Sequence, residues 1–103
     1  MIKLVFTVGR ETISFEIENK IISYVDRKFP KLMQVIPMAN DFERAVMMSR
    51  NRIPKELVEL VRDSNRGKNK EEYDNAKDDE ELVIIIKRDA ISKGCVFQKR
   101  IDI

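Results

Sequence analysis

Five consecutive apolar residues, Leu82-Val83-Ile84-Ile85-Ile86, constrain the fold of this chain more than any other feature of its sequence. They follow directly after the acidic stretch Asp78-Asp79-Glu80-Glu81. A strand with one side in water alternates apolar and polar residues, so an unbroken apolar run predicts a strand covered on both faces. A chain of 103 residues has little material for a second cover. The run therefore indicates cover from outside the chain, most simply in a homodimer with an interface formed by Leu82, Val83, Ile84, Ile85 and Ile86. The alternatives are that residues 66–81, with Tyr73, fold back over the run, or that its exposure is tolerated.

Length and charge limit the class of protein. A chain of 103 residues is expected to form one domain, residues 1–103. The 20 basic and 18 acidic residues nearly cancel, whereas a dedicated sequence-independent nucleic-acid binder is normally more basic. No apolar stretch approaches the roughly 20 residues of a membrane span, and the amino terminus lacks the apolar core of a signal peptide. Cys95 is the single cysteine, which fits a reducing compartment. We expect a soluble, cytoplasmic protein that does not bind membranes.

Missing residue types narrow the chemistry further. The chain has no histidine, so the commonest general base and the commonest metal ligand are both absent. One cysteine cannot form a zinc site. The three glycines, Gly9, Gly67 and Gly94, are too widely separated for a phosphate-binding glycine loop. We therefore expect no metal, no cofactor and no enzymatic activity.

The amino-terminal third predicts a hairpin followed by a helix. Ile2–Val8 and Thr12–Glu18 alternate apolar and polar residues, and the three residues between them include Gly9, which is typical of a β-hairpin. From Asn19 to Phe29 the apolar residues fall at helical spacing, and Pro30 predicts the end of that helix.

The middle of the chain predicts two more helices. Residues 31–38 fit either a short strand or an extended crossing segment. Asn40 with Glu43 has the spacing of an amino-terminal capping box, which predicts a helix to about Ser49. Pro54 is favourable in the first turn of a helix, and the next helix is predicted over Lys55–Ser64.

The carboxyl-terminal third predicts a charged loop and a second hairpin. Residues 66–81 hold four basic and seven acidic residues, so we expect a mobile loop or an exposed helical turn or two. The apolar run then pairs with a last strand from Cys95 to Ile103. Together these elements predict an α+β fold, in which an antiparallel sheet from amino- and carboxyl-terminal hairpins carries about three helices on one face.

A basic segment after the second predicted helix is the strongest alternative site. Basic side chains around a helix and its following loop are suited to phosphate contacts. The possible nucleic-acid contacts are Arg50, Arg52, Lys55, Arg62, Arg66, Lys68 and Lys70. The other interpretation of these charges is a solvated helix face with Lys55–Glu59 and Glu59–Arg62 pairs, and the opposite signs at these spacings favour it.

The acidic stretch at residues 78–81 has two interpretations. Carboxylates could hold a divalent cation, but the stretch lacks the alternating spacing and glycine of a calcium loop. The second interpretation, which we favour, is a set of gatekeeper charges that protect an aggregation-prone apolar strand. The sequence thus predicts a small, non-enzymatic binding protein, homodimeric and acting through contacts with an unidentified protein partner. Its composition is similar to that of many virus- and plasmid-encoded accessory proteins, and the alternative function is that of a nucleic-acid-binding regulator.

Overall fold

A computed structural model describes residues 1–25, 34–36, 54–65, 67 and 69–103. These residues form five strands and three helices. The strands are β1 (Ile2–Val8), β2 (Glu11–Glu18), β3 (Ile21–Val25), β4 (Gln34–Ile36) and β5 (Val96–Asp102); the helices are α1 (Lys55–Asn65), α2 (Lys70–Asp74) and α3 (Asp79–Ser92). None of these helices is both long enough and apolar enough to cross a membrane.

The strands form one antiparallel sheet with the order β4-β3-β2-β1-β5. Strands from both ends of the chain meet in this sheet, because β5 pairs with β1 and sets Asp102 opposite Ile2. The predicted α+β class, with strands from both ends and about three helices, is therefore confirmed.

Two tight turns connect the first three strands. The β1–β2 register sets Val8 opposite Glu11, so Gly9 and Arg10 form the connection, and Gly9 has φ +59°. Asn19 and Lys20 connect β2 to β3, with φ values of 51° and 63°. Positive φ at both central residues is the arrangement of a type I′ turn, whose twist matches that of a β-hairpin.

This second hairpin corrects one predicted helix. The apolar residues from Ile21 to Phe29 were expected to form a helix after Asn19, whereas Ile21–Val25 is strand β3, which pairs with β2. Asparagine tolerates left-handed backbone angles better than most residues do, so Asn19 fits a turn as well as it fits a helix start. Residues 26–29 and the predicted helix over 40–49 lie outside the described residues. The segment 31–38, for which a strand or an extended segment was expected, contributes strand β4.

The helices and one face of the sheet enclose the core. Ile13, Phe15 and Ile17 alternate along β2 and are buried. Phe6 of β1 makes edge-to-face contacts with Phe15 and Phe97, with ring centroids 5.8 and 5.5 Å apart. From the helices, the buried apolar residues include Leu57, Leu60, Tyr73, Leu82, Val83, Ile85, Ile86 and Ala90.

Helix α1 confirms the helix predicted over Lys55–Ser64, since it spans Lys55–Asn65. Leu57 and Leu60 are buried, and Ser64 follows on the same side of the helix. Gly67 lies against the last turn, where a Cβ atom would stand 2.5 Å from the Cα atom of Asp63. A larger residue at position 67 would therefore displace the backbone that ends α1.

The strand predicted at Leu82–Ile86 is wrong, because all five residues lie within helix α3. As a helix the segment satisfies its own backbone hydrogen bonds and needs no neighbouring strand. The buried positions recur at Leu82, Val83, Ile86 and Ala90, which is helical periodicity. Five apolar residues in a row conceal this period, because it becomes visible only when the polar residues on both sides are included.

Candidate functional site

The beginning of helix α3 is fixed by the acidic stretch. Asp78 is the N-cap residue, and its carboxylate accepts a hydrogen bond of 2.9 Å from the backbone N–H of Glu81. The carboxylate of Glu81 accepts a bond of 2.7 Å from the backbone N–H of Lys77, and that of Asp79 accepts one of 2.7 Å from the backbone N–H of Lys20. Negative charges in the first turn also interact favourably with the helix dipole.

These contacts correct the interpretation of the acidic residues. They were expected to be gatekeepers beside an aggregation-prone apolar strand, whereas they cap a helix and attach it to the β2–β3 turn. Within the described part of the chain, no group of three or more acidic or cysteine side chains is placed to hold a metal ion.

The end of helix α3 is equally well defined. The backbone N–H of Gly94, which has φ +103°, donates to the carbonyl of Ile91, and that of Cys95 donates to the carbonyl of Ala90, both at 3.0 Å. This pair of bonds is a Schellman motif, in which glycine supplies the left-handed residue after the helix. Cys95 and Ala90 are both buried in the core. Burial raises the pKa of the Cys95 thiol.

On the side of α3 that faces α2, a buried carboxylate holds the two helices together. Asp89 is 5% exposed and accepts hydrogen bonds from the Tyr73 hydroxyl at 2.7 Å and the Asn69 amide at 3.2 Å. Arg88 donates from Nε to Asp89 at 3.0 Å and forms two bonds of 2.9 Å with the carboxylate of Glu72. We call these five residues the α2–α3 cluster.

The pKa values of the cluster reflect these contacts. Burial, followed by the hydrogen bond to Asp89, raises the pKa of Tyr73 far above its usual range. The bonds from Arg88 lower the pKa of Glu72. The phenol thus stays a neutral donor and Glu72 stays ionised at neutral pH, as the geometry requires.

On the other side of α3, exposed pairs attach the helix to strand β5. Arg100 forms two bonds, of 2.8 and 2.5 Å, with the carboxylate of Glu80, and this pairing lowers the pKa of Glu80. The Lys87 ammonium lies 3.9 Å from the centroid of the Phe97 ring. Near the end of the helix, Lys93 bonds to Asp63 of α1 at 2.5 Å. Helix α3 is therefore attached to α1, α2, β5 and the β2–β3 turn through charged or polar groups.

The remaining side of α3 faces solvent and carries two large isoleucines. Ile84 is 67% exposed and Ile91 is 50% exposed. Residues seven apart in a helix are about 20° apart around its axis, so the two side chains lie in one line. Lys87 and Arg88 lie between them along the helix. We call this surface, formed by Glu80, Ile84, Lys87, Arg88 and Ile91, the α3 solvent face.

The predicted dimer interface is only partly available at the surface. Leu82, Val83, Ile85 and Ile86 are buried in the core of their own chain, and Ile84 is exposed. The argument for a two-faced strand therefore no longer applies. The dimer itself stays a prediction, and its candidate surface becomes the α3 solvent face.

The predicted basic segment is not assembled into a patch by the described residues. Lys55 and Arg62 are exposed on α1, and Lys70 forms an ion pair with Asp74 within α2. Arg50, Arg52, Arg66 and Lys68 lie outside the described residues. Nucleic-acid binding thus stays a prediction.

Residues 66–81, for which a mobile loop or an exposed helical turn or two was expected, include the short helix α2. Tyr73 and Ala76 of this block are buried, in agreement with the sequence, which offers no other apolar residues there. The role of Asp89 was missed, because a lone aspartate after a basic pair resembles a solvated turn. A helical period that runs from Leu82 through Asp89 would have placed it on the inner side.

No protein-family model, no curated protein and no solved structure matches this chain.

Proposed function

We propose that this chain is a small, non-enzymatic binding protein that acts through protein–protein contacts, first of all with a second copy of itself. The supporting observation is the alignment of Ile84 and Ile91, 67% and 50% exposed, on the solvent face of the longest described helix. Single exposed apolar residues are normal on a protein surface. Two isoleucines in one line on one helix are instead typical of a helix that packs against a partner.

The rigidity of the α3 solvent face supports the same function. Helix α3 has a capped beginning, a Schellman motif at its end and ion pairs on both sides. The backbone of such a helix is already ordered before association, which lowers the entropic cost of binding by a small surface. The free, buried Cys95 is compatible with our further proposal that the protein resides in the reducing cytoplasm.

The test is a comparison of two glutamate substitutions at exposed isoleucines. Ile84→Glu places a charge at the centre of the α3 solvent face, whereas Ile103→Glu makes the same change at a residue that is 74% exposed at the end of the chain. We expect light scattering at about 100 µM, a concentration suited to a small interface, to show a dimer for wild type and Ile103→Glu. The Ile84→Glu protein should be monomeric with an unchanged circular dichroism spectrum.

A wild-type protein that is strictly monomeric at this concentration would overturn the self-association. Dimers of equal strength in both variants would leave the dimer but remove the α3 solvent face as its site.

A further inference from the structure

The charges around Ile84 are arranged so that they complement themselves. One turn before Ile84 stand Glu80 and Glu81, and one turn after it stand Lys87 and Arg88. Residues three or four positions away lie beside Ile84 on the helix surface, so an acidic pair and a basic pair flank the same isoleucine. A two-fold rotation through Ile84, perpendicular to the helix axis, exchanges the positions of the two pairs.

We propose that two copies associate by antiparallel packing of their α3 helices, with the two-fold axis at Ile84. This inference rests on the proposed function and adds its geometry. In this register Glu80 faces Lys87 of the second copy, and Glu81 faces Arg88 of the second copy, because the members of each pair lie on the same flank of the helix. The symmetry repeats each contact, so four pairs of opposite charge surround the two isoleucines. In a parallel pair, by contrast, like charges face each other and repel.

The charged groups keep bonding capacity for a second copy. The guanidinium of Arg88 has five N–H donors, of which three are used within the chain. Each carboxylate oxygen of Glu80 accepts one bond from Arg100, and each has a second lone pair. The side chain of Arg88 is 50% exposed and that of Glu80 is 61% exposed. The existing bonds hold both groups in position on the helix surface.

The size of the contact predicts its strength. A helix of 14 residues is about 21 Å long, so the contact belongs to the small, transient interfaces below about 1,200 Å². We expect a dimer that exchanges rapidly and is populated at high micromolar concentration.

Single cysteine substitutions test the geometry. Helix axes 8–10 Å apart bring the two Cα atoms at the two-fold axis to about 3–5 Å from each other, which overlaps the range of a disulfide. Ile91 lies seven residues from the axis on each helix, so the two Ile91 Cα atoms are about 20 Å apart. Ile84→Cys should therefore form a disulfide-linked dimer with oxidised glutathione, and Ile91→Cys should not.

Ile103→Cys is the control for random collision, because residue 103 is also well exposed. Wild type is the control for Cys95, which is buried and should not react. The proposal predicts that Ile84→Cys crosslinks at least ten times faster than Ile91→Cys and Ile103→Cys.

The other outcomes separate the two proposals. Rapid crosslinking of both Ile84→Cys and Ile91→Cys indicates a parallel pair, and it overturns the antiparallel geometry while the proposed function stands. If neither reacts above the Ile103→Cys rate while light scattering shows a wild-type dimer, the axis at Ile84 is wrong. A monomeric wild-type protein overturns the proposed function and this inference together.

Discussion

Helix α3 is attached to two of its neighbours, α2 and β5, by bonds of the same kind in different surroundings. Towards α2, Arg88 forms two bonds with Glu72, and Asp89 accepts bonds from Tyr73 and Asn69. Towards β5, Arg100 forms two bonds with Glu80 and one with Asp102. The bond lengths are similar, but Asp89 is 5% exposed whereas the side chain of Glu80 is 61% exposed.

This difference in burial predicts where the free energy of folding is concentrated. An exposed ion pair contributes little, because water and salt screen it. A buried carboxylate is different, since removal of one group leaves its partners without hydrogen bonds in a place that water does not reach. The α2 side should therefore determine whether α3 stays in place, and the β5 side should mainly set its orientation.

The largest expected effect is that of Asp89→Ala. The change leaves the Tyr73 hydroxyl buried without its acceptor and should lower the free energy of unfolding by about 3 kcal/mol. Glu80→Ala, the matched change on the β5 side, should cost only a fraction of that. Urea denaturation followed by circular dichroism measures both losses. Equal losses would show that burial does not make the contacts to α2 more stabilising than those to β5.

Tyr73→Phe should have the next largest effect. The ring still fills its place in the core, but Asp89 loses the hydrogen bond of 2.7 Å. We expect a loss of about 1–2 kcal/mol in the free energy of unfolding. The double variant with Asp89→Ala should lose less free energy of unfolding than the sum of the two single losses. Strict additivity would rule out an energetic link between the two groups.

Alkaline pH should weaken the α2 side selectively. The pKa of Tyr73 is raised in the folded state, so its stabilising effect is complete below the ordinary tyrosine pKa of about 10 and is lost as pH rises above that value. Unfolding followed against pH should show this decline in wild type. Tyr73→Phe should show much less of it, and a Tyr24→Phe background leaves Tyr73 as the single tyrosine for ultraviolet absorbance. Titration of Tyr73 near pH 10 in the folded protein would contradict the prediction.

The smallest expected effect is that of salt on the β5 side. At about 1 M salt the screening length falls to about 3 Å, so the difference between wild type and Glu80→Ala should nearly vanish. The difference between wild type and Asp89→Ala should persist, because its origin is a buried hydrogen bond. If salt removes both differences, the Asp89 contacts are screened like a surface ion pair and the prediction is wrong.

The parts of the fold that face water on one side could be predicted from the sequence. Strand β2 alternates because its outer side chains, such as Thr12 and Glu18, are exposed while Phe15 is buried. Helix α1 shows Leu57 and Leu60 at helical spacing between charged residues. In both elements the polar residues disclose the period of the backbone.

Helix α3 was misinterpreted because its apolar run has no polar residue to disclose that period. The signals of a helix were nevertheless present at its ends. Asp78 and Glu81 have the spacing of a capping box, and Gly94 stands where a helix of this length needs a left-handed residue. The exposed Ile84 could not be recognised from the run, because its four neighbours have the same character and opposite surroundings.

Self-association is still proposed for this chain, but through a different surface from the one that the sequence predicted. The reasoning from a strand placed all five residues at an interface, whereas the helix leaves Ile84 outside and adds Ile91 from the next turns. Ile91 could not be connected with Ile84 before the helix was known, since only a helical period brings residues seven apart to one side.

The pairing of β1 with β5 has a consequence for the folding of this chain during its synthesis. Strands β1, β2 and β3 follow one another through two-residue turns and can pair as soon as they leave the ribosome. Strand β5 must wait for about 70 more residues, because Val96 lies that far beyond Val25. During this interval the backbone of Ile2–Val8 has one unpaired edge, which can capture strands of other nascent chains. The rate of translation through residues 26–95 thus sets how long each new molecule is exposed to this risk.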